Sequence, residues 1–471
     1  MLQFRSMLTI SVLSFCAVVT GCRATNQLGS LTQSGNSSVA MAITDTPPSN
    51  VTILSAEVTL TGAAFRPGNV PIFSGSTTVE LTRLQTDIAY LATATNVPAG
   101  SYTGVTLTFA NPRLTIENDT AAAIGSCAVG TICTISAAST NLSTTVTIPT
   151  LPIAANSVSG LLIDVSLDNL LSATLGADFN AGATVSAFTP AGSNAPLVGA
   201  EDVVGEITSL DKAHNTFVFQ NAAGFFTLAV DNSSTFFQFP TSDCTTSGFA
   251  CLKANQILSV DIGIRADGTA VARNILWEDA DSSDAEVEGI ITGTNVGSQQ
   301  FTITTLAESA TVSGLQIGDV ATVHYTVAPQ TPFDIDFTHA DRTAVSTSGF
   351  LFAAPADLSV GQQVSIRRNT GSLGASITAD RVRLRSSRIT ANVGSIGLPF
   401  LYLTNIPSLL SGHGVTQVNA QTSSATIYYA VGSTINSSNV SVGALVSVRG
   451  PLFNGSGSTR NLLATKVVLK P

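Results

Sequence analysis

The strongest constraint on this chain is a period of two. Val, Ile, Thr and Phe alternate with polar residues in VTILSAEVTLTG (51–62), SYTGVTLTFA (101–110), LSTTVTIP (142–149), TFVFQ (216–220) and QQVSIRR (362–368). Gly, Pro, Asn and Ser punctuate these runs, which is the pattern of short strands joined by turns. Alternation gives each strand one face for a core and one for solvent. An all-β protein follows, with sandwiches or small barrels as its units. Only the segment around Leu81 to Thr95 carries a plausible helical pattern.

From about residue 200 the chain repeats itself. Gly205-Glu206-Ile207 precedes the aromatic strand Phe217-Val218-Phe219, and Gly289-Ile290-Ile291 precedes Phe301-Thr302-Ile303. A weaker copy places Ala391-Asn392-Val393 before Leu401-Tyr402-Leu403. Each copy closes with a turn, a strand, a Gly-containing hairpin and Ala-x-x-[IV], in segments 252–275, 358–382 and 440–467. The turn position is Asn255, Gly361 and Gly443. Asn and Gly best tolerate a positive φ, so the spacing predicts a left-handed residue at all three. A repeat of roughly 84 to 102 residues is too long for a solenoid and right for a small domain. Three barrel-like modules are expected, at 200–282, 285–386 and 388–471. The middle copy carries an additional turn-like element, GLQIGDVATVHY (314–325).

The 471 residues are enough for about three domains. With 11% charged and 44% hydrophobic residues, the chain is not disordered throughout. A formal charge of −10 argues against nucleic acid, whose binding rests on Lys and Arg neutralising phosphates. Four His and one Trp leave few of the side chains most used in catalysis and in aromatic ligand platforms.

The N-terminus reads as an export signal. One cation, Arg5, precedes the apolar run Met7 to Val19, which is too short for a bilayer span of about 20 residues. Val19-Thr20-Gly21-Cys22 then resembles the bacterial lipoprotein box. Small residues fit the peptidase cleft, and the Cys22 thiol takes a diacylglycerol before cleavage. Residues 1–21 are thus read as a signal peptide and the polar segment 22–38 as a flexible tether. Arg23 after the acylated Cys favours outer-membrane sorting by analogy with known lipoproteins. An anchored chain needs two or more acyl chains for stable attachment. The remaining cysteines fall into two close pairs, Cys127 with Cys133 and Cys244 with Cys251. Local pairs in an exported chain are most simply disulfides, and neither has the C-x2-C spacing of a zinc site.

Two family resemblances rest on turn and strand motifs. LKANQILSV…DGTAVARNI, with Asp267-Gly268-Thr269 and Ala272, resembles the bacterial family called domain of unknown function 5666. Asn255 replaces its usual Gly, and the third copy has a longer Gly/Ser hairpin in place of Asp-Gly-Thr. The resemblance covers 200–471 and implies small five-strand barrels with no known activity. Residues 39–196 resemble domain of unknown function 4382, found in envelope lipoproteins. The motifs are Thr44-Asp45-Thr46-Pro47 after the first strand and Pro98-Ala99-Gly100-x-Tyr102 at another, with LLIDVSLDNLL and VSAFTPA near the end. That resemblance implies a β-sandwich of transthyretin or carbohydrate-module type and no established reaction. The segment with Cys127 and Cys133 is an insertion relative to it.

Catalytic motifs are scarce. The chain holds no G-x-S-x-G, H-E-x-x-H or Walker loop. His413 sits in a loop-like Ser411-Gly412-His413-Gly414, and His214 in the turn 211–215. Glu278 to Glu286 gathers carboxylates, of which Asp279, Asp281, Asp284 and Glu286 are weak candidates for Ca²⁺. The position between two modules favours a solvated linker, and no metal or cofactor is expected. The run Asp334 to Asp341 alternates in strand fashion, with Asp334 and Asp336 two apart on one face, which reads as a polar strand face with a metal site as its second reading. Asp45 before two prolines fits an Asx turn, with ion or ligand binding as its second reading. The expectation is a lipid-anchored envelope protein without a catalytic site, presenting β modules to polysaccharide or to an envelope protein. The alternatives are a glycan-processing enzyme using paired carboxylates and an assembly or chaperone partner.

Overall fold

The computed structural model describes residues 37–46, 52–136, 143–167, 182–188, 199–221, 224–239, 244, 248–265, 269–279, 286–308, 314–336, 340, 349–369, 374–430 and 433–470. Nearly all of them lie in strands and turns, as the alternation predicts.

The N-terminal unit is a two-sheet sandwich. One sheet orders Ala89–Val97, Ser37–Thr46, Val158–Ser166 and Ala183–Phe188. The other orders Val70–Glu80, Thr52–Arg66, Gly100–Glu117 and Ile132–Ser136, with Ser143–Ile153 also on Gly100–Glu117. Their inner faces share one core, in which Val39, Met41 and Ile43 meet Phe65, Leu107 and Phe109. Strand Ser37–Thr46 starts within the segment read as tether, and its first two residues are buried.

The helical pattern near Leu81 to Thr95 is corrected. A single 3-10 turn, Leu81–Gln85, is followed by strand Ala89–Val97. Glu80 caps the turn, accepting from the Thr82 and Arg83 amides. Pairing of the next residues with Ser37–Thr46 then overrides helical propensity.

Three closed sheets follow. In the first, Gly199–Asp211, Thr216–Asn221 and Gly224–Val230 form an antiparallel meander. Ile257–Ile264 adds to Gly199–Asp211 and pairs with Ala270–Asp279. A parallel contact, Ala229 opposite Val271, closes the sheet. The second is built from Glu286–Asn295, Gln300–Glu308, Val320–His324, Gln363–Arg368 and Ser376–Leu384, closed by Val323 opposite Ile377. The third uses Ser386–Gly397, Phe400–Thr404, Gln417–Gln421, Leu445–Asn454 and Thr459–Leu463, closed by Gln417–Gln421 against Thr459–Leu463.

The repeated motif has one physical cause. All three first strands bulge at the same place, between Ile207 and Ser209, Ile291 and Gly293, and Val393 and Ser395. The carbonyl of Ile207, Ile291 or Val393 accepts from the amide of Asn255, Gly361 or Gly443, at 2.7, 2.8 and 2.7 Å. These three donors have φ of 70°, 88° and 88°, the left-handed conformation expected from the turn residues. The first-strand glycines answer to close approach instead. A Cβ on Gly205 would meet Gln220 O at 2.4 Å, and one on Gly289 would meet Thr304 O at 2.7 Å.

Candidate functional site

Charge is rare in this chain, and much of it is buried where the units meet. Arg383 and Arg385 in the second barrel each contact Glu278 of the first at 2.6 Å, and Arg381 does so at 3.3 Å. Arg381 also holds Glu286 at 2.6 Å, while Asp334 and Asp336 pair with Arg383 and Arg385 at 2.9 Å each. Glu278, Glu286 and Arg385 are fully or almost fully withdrawn from water. Arg381 and Arg383 share one face of strand Ser376–Leu384, and Arg385, one residue past its end and bonded through its amide to Gln363 O, continues the alternation as a cationic row.

The sandwich joins the second barrel through Arg83 and Glu288 at 2.8 Å. Burial pushes Glu288 up, but Arg83, Arg385 and the Gln363 amide outweigh it and hold the carboxyl below its ordinary value. The additional element of the middle copy is the second contact. Its turn presents Asp319 and the carbonyl of Ile317 to Arg113, and Gly318 O accepts from Thr115 Oγ1 at 2.7 Å. The third barrel reaches the sandwich through Asp87, which meets Arg388 and Lys466 at 2.9 Å each. The last two barrels share an apolar seam, with Phe350 edge-on to Phe453 at 5.2 Å between ring centres. Such a pair is worth about 0.5–1.5 kcal/mol beyond its buried area.

A cavity of about 400 Å³ opens where the sandwich, second barrel and third barrel converge. Its apolar wall comes from Ile53, Leu54, Ile290, Ile389, Leu410 and Leu445. Hydroxyls and amides complete it: Thr52, Thr390, Asn392, Asn405 and Ser408, with Arg83, Asp119 and Arg388 as charged lining. The polar set is fixed in place. Thr52 Oγ1 donates to Asp119 at 2.8 Å and accepts from the Leu409 amide at 2.9 Å, and Asn405 Nδ2 donates to Asn392 Oδ1 at 3.2 Å. Aliphatic walls with a few convergent polar groups, at a junction between units, are the usual character of a small-molecule site.

The residues singled out from sequence fall differently. Val19, Thr20, Gly21 and Cys22 lie outside the described residues, as do Asp281, Asp284 and Asp341 and the side chain of Asp279. Cys127–Cys133 and Cys244–Cys251 are disulfides, with Cα separations of 5.8 and 5.3 Å. Glu286 is not part of a solvated linker: it is buried against Arg381, and Glu278 is buried with it. Asp334 and Asp336 do point one way, towards arginines. Among the described residues no three His, Cys, Asp or Glu side chains are grouped to hold a metal ion. Of Ser411-Gly412-His413-Gly414, the first two residues end a short helix, Ser408–Gly412, begun where Pro407 O accepts from the Leu410 and Ser411 amides, and His413 lies in the turn that follows. Its Nδ1 lies 2.8 Å from Leu409 O. His214 is in its turn, 2.7 Å from Asp211. Asp45 is entirely buried. No helix among the described residues is long and apolar enough to cross a membrane.

Sequence reading missed the arginine row and the cavity. Arg381-x-Arg383-x-Arg385 was a signal, since three alternating cations in a chain with only 20 must share a strand face. The cavity had none, because its walls come from segments hundreds of positions apart.

The strands of the sandwich decide the comparison with known families. Residues 36–180 match the family described as Domain of unknown function (DUF4382). The match begins at strand Ser37–Thr46 and runs past strand Val158–Ser166, so it takes in all of one sheet and three of the four strands of the other, stopping short of Ala183–Phe188. It includes Arg83, Asp87, Arg113 and Asp119, which the sandwich contributes to its contacts with the barrels and to the cavity. No curated protein matches the chain.

Proposed function

We propose that the chain is a lipid-anchored protein of the bacterial envelope, without a catalytic site, whose modular β body binds a small amphipathic ligand at the three-unit junction. The cavity carries this reading. Its aliphatic wall suits a hydrocarbon portion, and the fixed Thr, Ser and Asn groups suit hydroxyls or amides on the remainder. None of its lining residues is aromatic, which favours an aliphatic ligand over a stacked sugar ring. The lipoprotein box at Val19 to Cys22 supports the anchor, and Arg23 supports outer-membrane sorting. The repeated bulge and turn at 207/255, 291/361 and 393/443 support three tandem barrels of the domain of unknown function 5666 kind.

Mass spectrometry of protein extracted from membranes tests both halves. The N-terminal peptide should begin at Cys22 and carry diacylglycerol. Native spectra should show a co-purifying small molecule that is absent from Leu410→Trp, in which the indole fills the cavity. An unmodified peptide running through Cys22 would overturn the anchor. Identical ligand-free spectra for both proteins would overturn the site.

A further inference from the structure

The chain's last described residue returns to its first strand. Lys470 follows strand Lys466–Leu469, and its Nζ donates to the main-chain oxygen of Asp45 at 3.0 Å. Asp45 lies on strand Ser37–Thr46 at the alternate positions that include Val39, Met41 and Ile43 of the sandwich core. Its carboxyl is fully buried, and neither oxygen has a hydrogen-bond partner among the described residues. A buried carboxyl is normally bonded or paired, so this arrangement requires a reason.

Two further carboxyls act on the pair. Asp164 stands on strand Val158–Ser166 beside Thr44, and Glu80 bears on the same group. Burial is the main force pushing Asp45 well above the carboxylate range. The Lys470 ammonium opposes it, and Asp164 and Glu80 add to it. Burial also pulls Lys470 below its ordinary value, against Asp45, Asp164 and Asp87, with Lys466 lowering it further. Burial thus disfavours the charge on both groups, and a carboxylic acid held beside an amine is the reactant pair of an amide condensation.

We propose that the Lys470 and Asp45 side chains are joined by an amide bond that the folded chain forms by itself. The Nζ lone pair attacks Asp45 Cγ, after moving from the main-chain oxygen of the same residue to its carboxyl carbon. The N–C bond forms as the carboxyl carbon becomes tetrahedral. Asp164 takes a proton from the nitrogen and delivers it to the hydroxyl, which leaves as water. One amine and one acid give one amide and one water, with no change of oxidation state. Fixing the reactants side by side supplies the effective concentration that the reaction lacks in solution. The product replaces a fully buried acid and a half-buried amine with a neutral group. It also ties the first sandwich strand to the end of the last barrel.

Peptide mapping of the full-length protein, purified without denaturation, tests this. Trypsin cuts after Lys466 but not before Pro471, so the C-terminal peptide is 467–471. The expected form is a branched species in which 467–471 is attached to the peptide holding Asp45, lighter than the two together by one water. Lys470→Arg keeps the cation and should release both peptides in linear form. Its reduced chain should also migrate more slowly in a denaturing gel than the crosslinked one. Asp45→Asn should give a branched peptide of wild-type mass, since ammonia leaves in place of water. Linear 467–471 as the main species from folded wild-type protein would overturn the proposal.

Discussion

Glu278 and Arg385 belong to different barrels, are both wholly withdrawn from water, and meet at 2.6 Å. Arg383 and Arg381 hold the same carboxyl, so one glutamate at the end of the first barrel is bound by a row of three arginines in the second. The two barrels thus share a charged centre that neither could bury alone. Removing one partner leaves uncompensated buried charge, which costs about 3–5 kcal/mol. Glu278→Ala is expected to destabilise the chain by that amount in denaturant unfolding. Asp380→Ala, on the arginine strand Ser376–Leu384 but outside the cluster, is expected to change it by less than about 0.5 kcal/mol, since changes away from such features are usually that small.

Acid should loosen the attachment of the last barrel to the sandwich. Burial pushes Asp87 up, but Lys466, Arg388 and Arg449 outweigh it and hold the carboxyl well below its ordinary 3.8. A group depressed in the folded state contributes stability that is complete above the unfolded value and declines as pH falls through the folded one. Stability followed by tryptophan fluorescence should therefore drop steadily below about pH 4, where the unfolded chain takes up protons first. Asp87→Asn should be less stable than wild type at neutral pH and show a shallower acid limb. An unchanged acid limb would contradict the assignment.

Glu80 organises the turn that carries Arg83 and Asp87 to the junction. Its carboxyl accepts from the Ala56 amide at 2.8 Å, the Arg83 amide at 2.9 Å and the Thr82 hydroxyl at 2.8 Å. Glu80→Ala strands these buried donors at about 1–3 kcal/mol each. The expected result is loss of several kcal/mol in urea unfolding, with faster hydrogen exchange at the amides of residues 82–85. Glu80→Gln, which keeps one acceptor oxygen, should fall between the two.

The all-β class, the disulfide partners and the left-handed positions Asn255, Gly361 and Gly443 were legible because each follows from local chemistry. Alternation sets strand faces, short Cys spacing sets pairing, and a positive φ selects Gly or Asn. The strand over Ala89–Val97 was not legible, since pairing with Ser37–Thr46 decides it. Nor was the fate of the acidic run at 278–286. Its charges look solvated in sequence, and only the arginine row a hundred residues on shows why Glu278 and Glu286 turn inward. The junction cavity is wholly a product of how the units meet.

Close approach explains why two copies keep Gly where the third has Ala391. Gly205→Ala and Gly289→Ala drive a methyl against a neighbouring carbonyl and should each cost about 1–3 kcal/mol. Thermal unfolding of the full chain measures this. Ala391→Gly, at a buried site that already holds the methyl, should cost about 0.5–1 kcal/mol through lost packing and added chain entropy.

Scanning calorimetry of the full chain tests most directly whether buried ion pairs weld the four units into one body. Wild type should unfold in a single transition whose calorimetric and van't Hoff enthalpies agree. Glu278→Ala should split off a separate, lower transition for residues 199–279. Several transitions in wild type, with none of them moved by Glu278→Ala, would show that the units unfold independently and would contradict the weld.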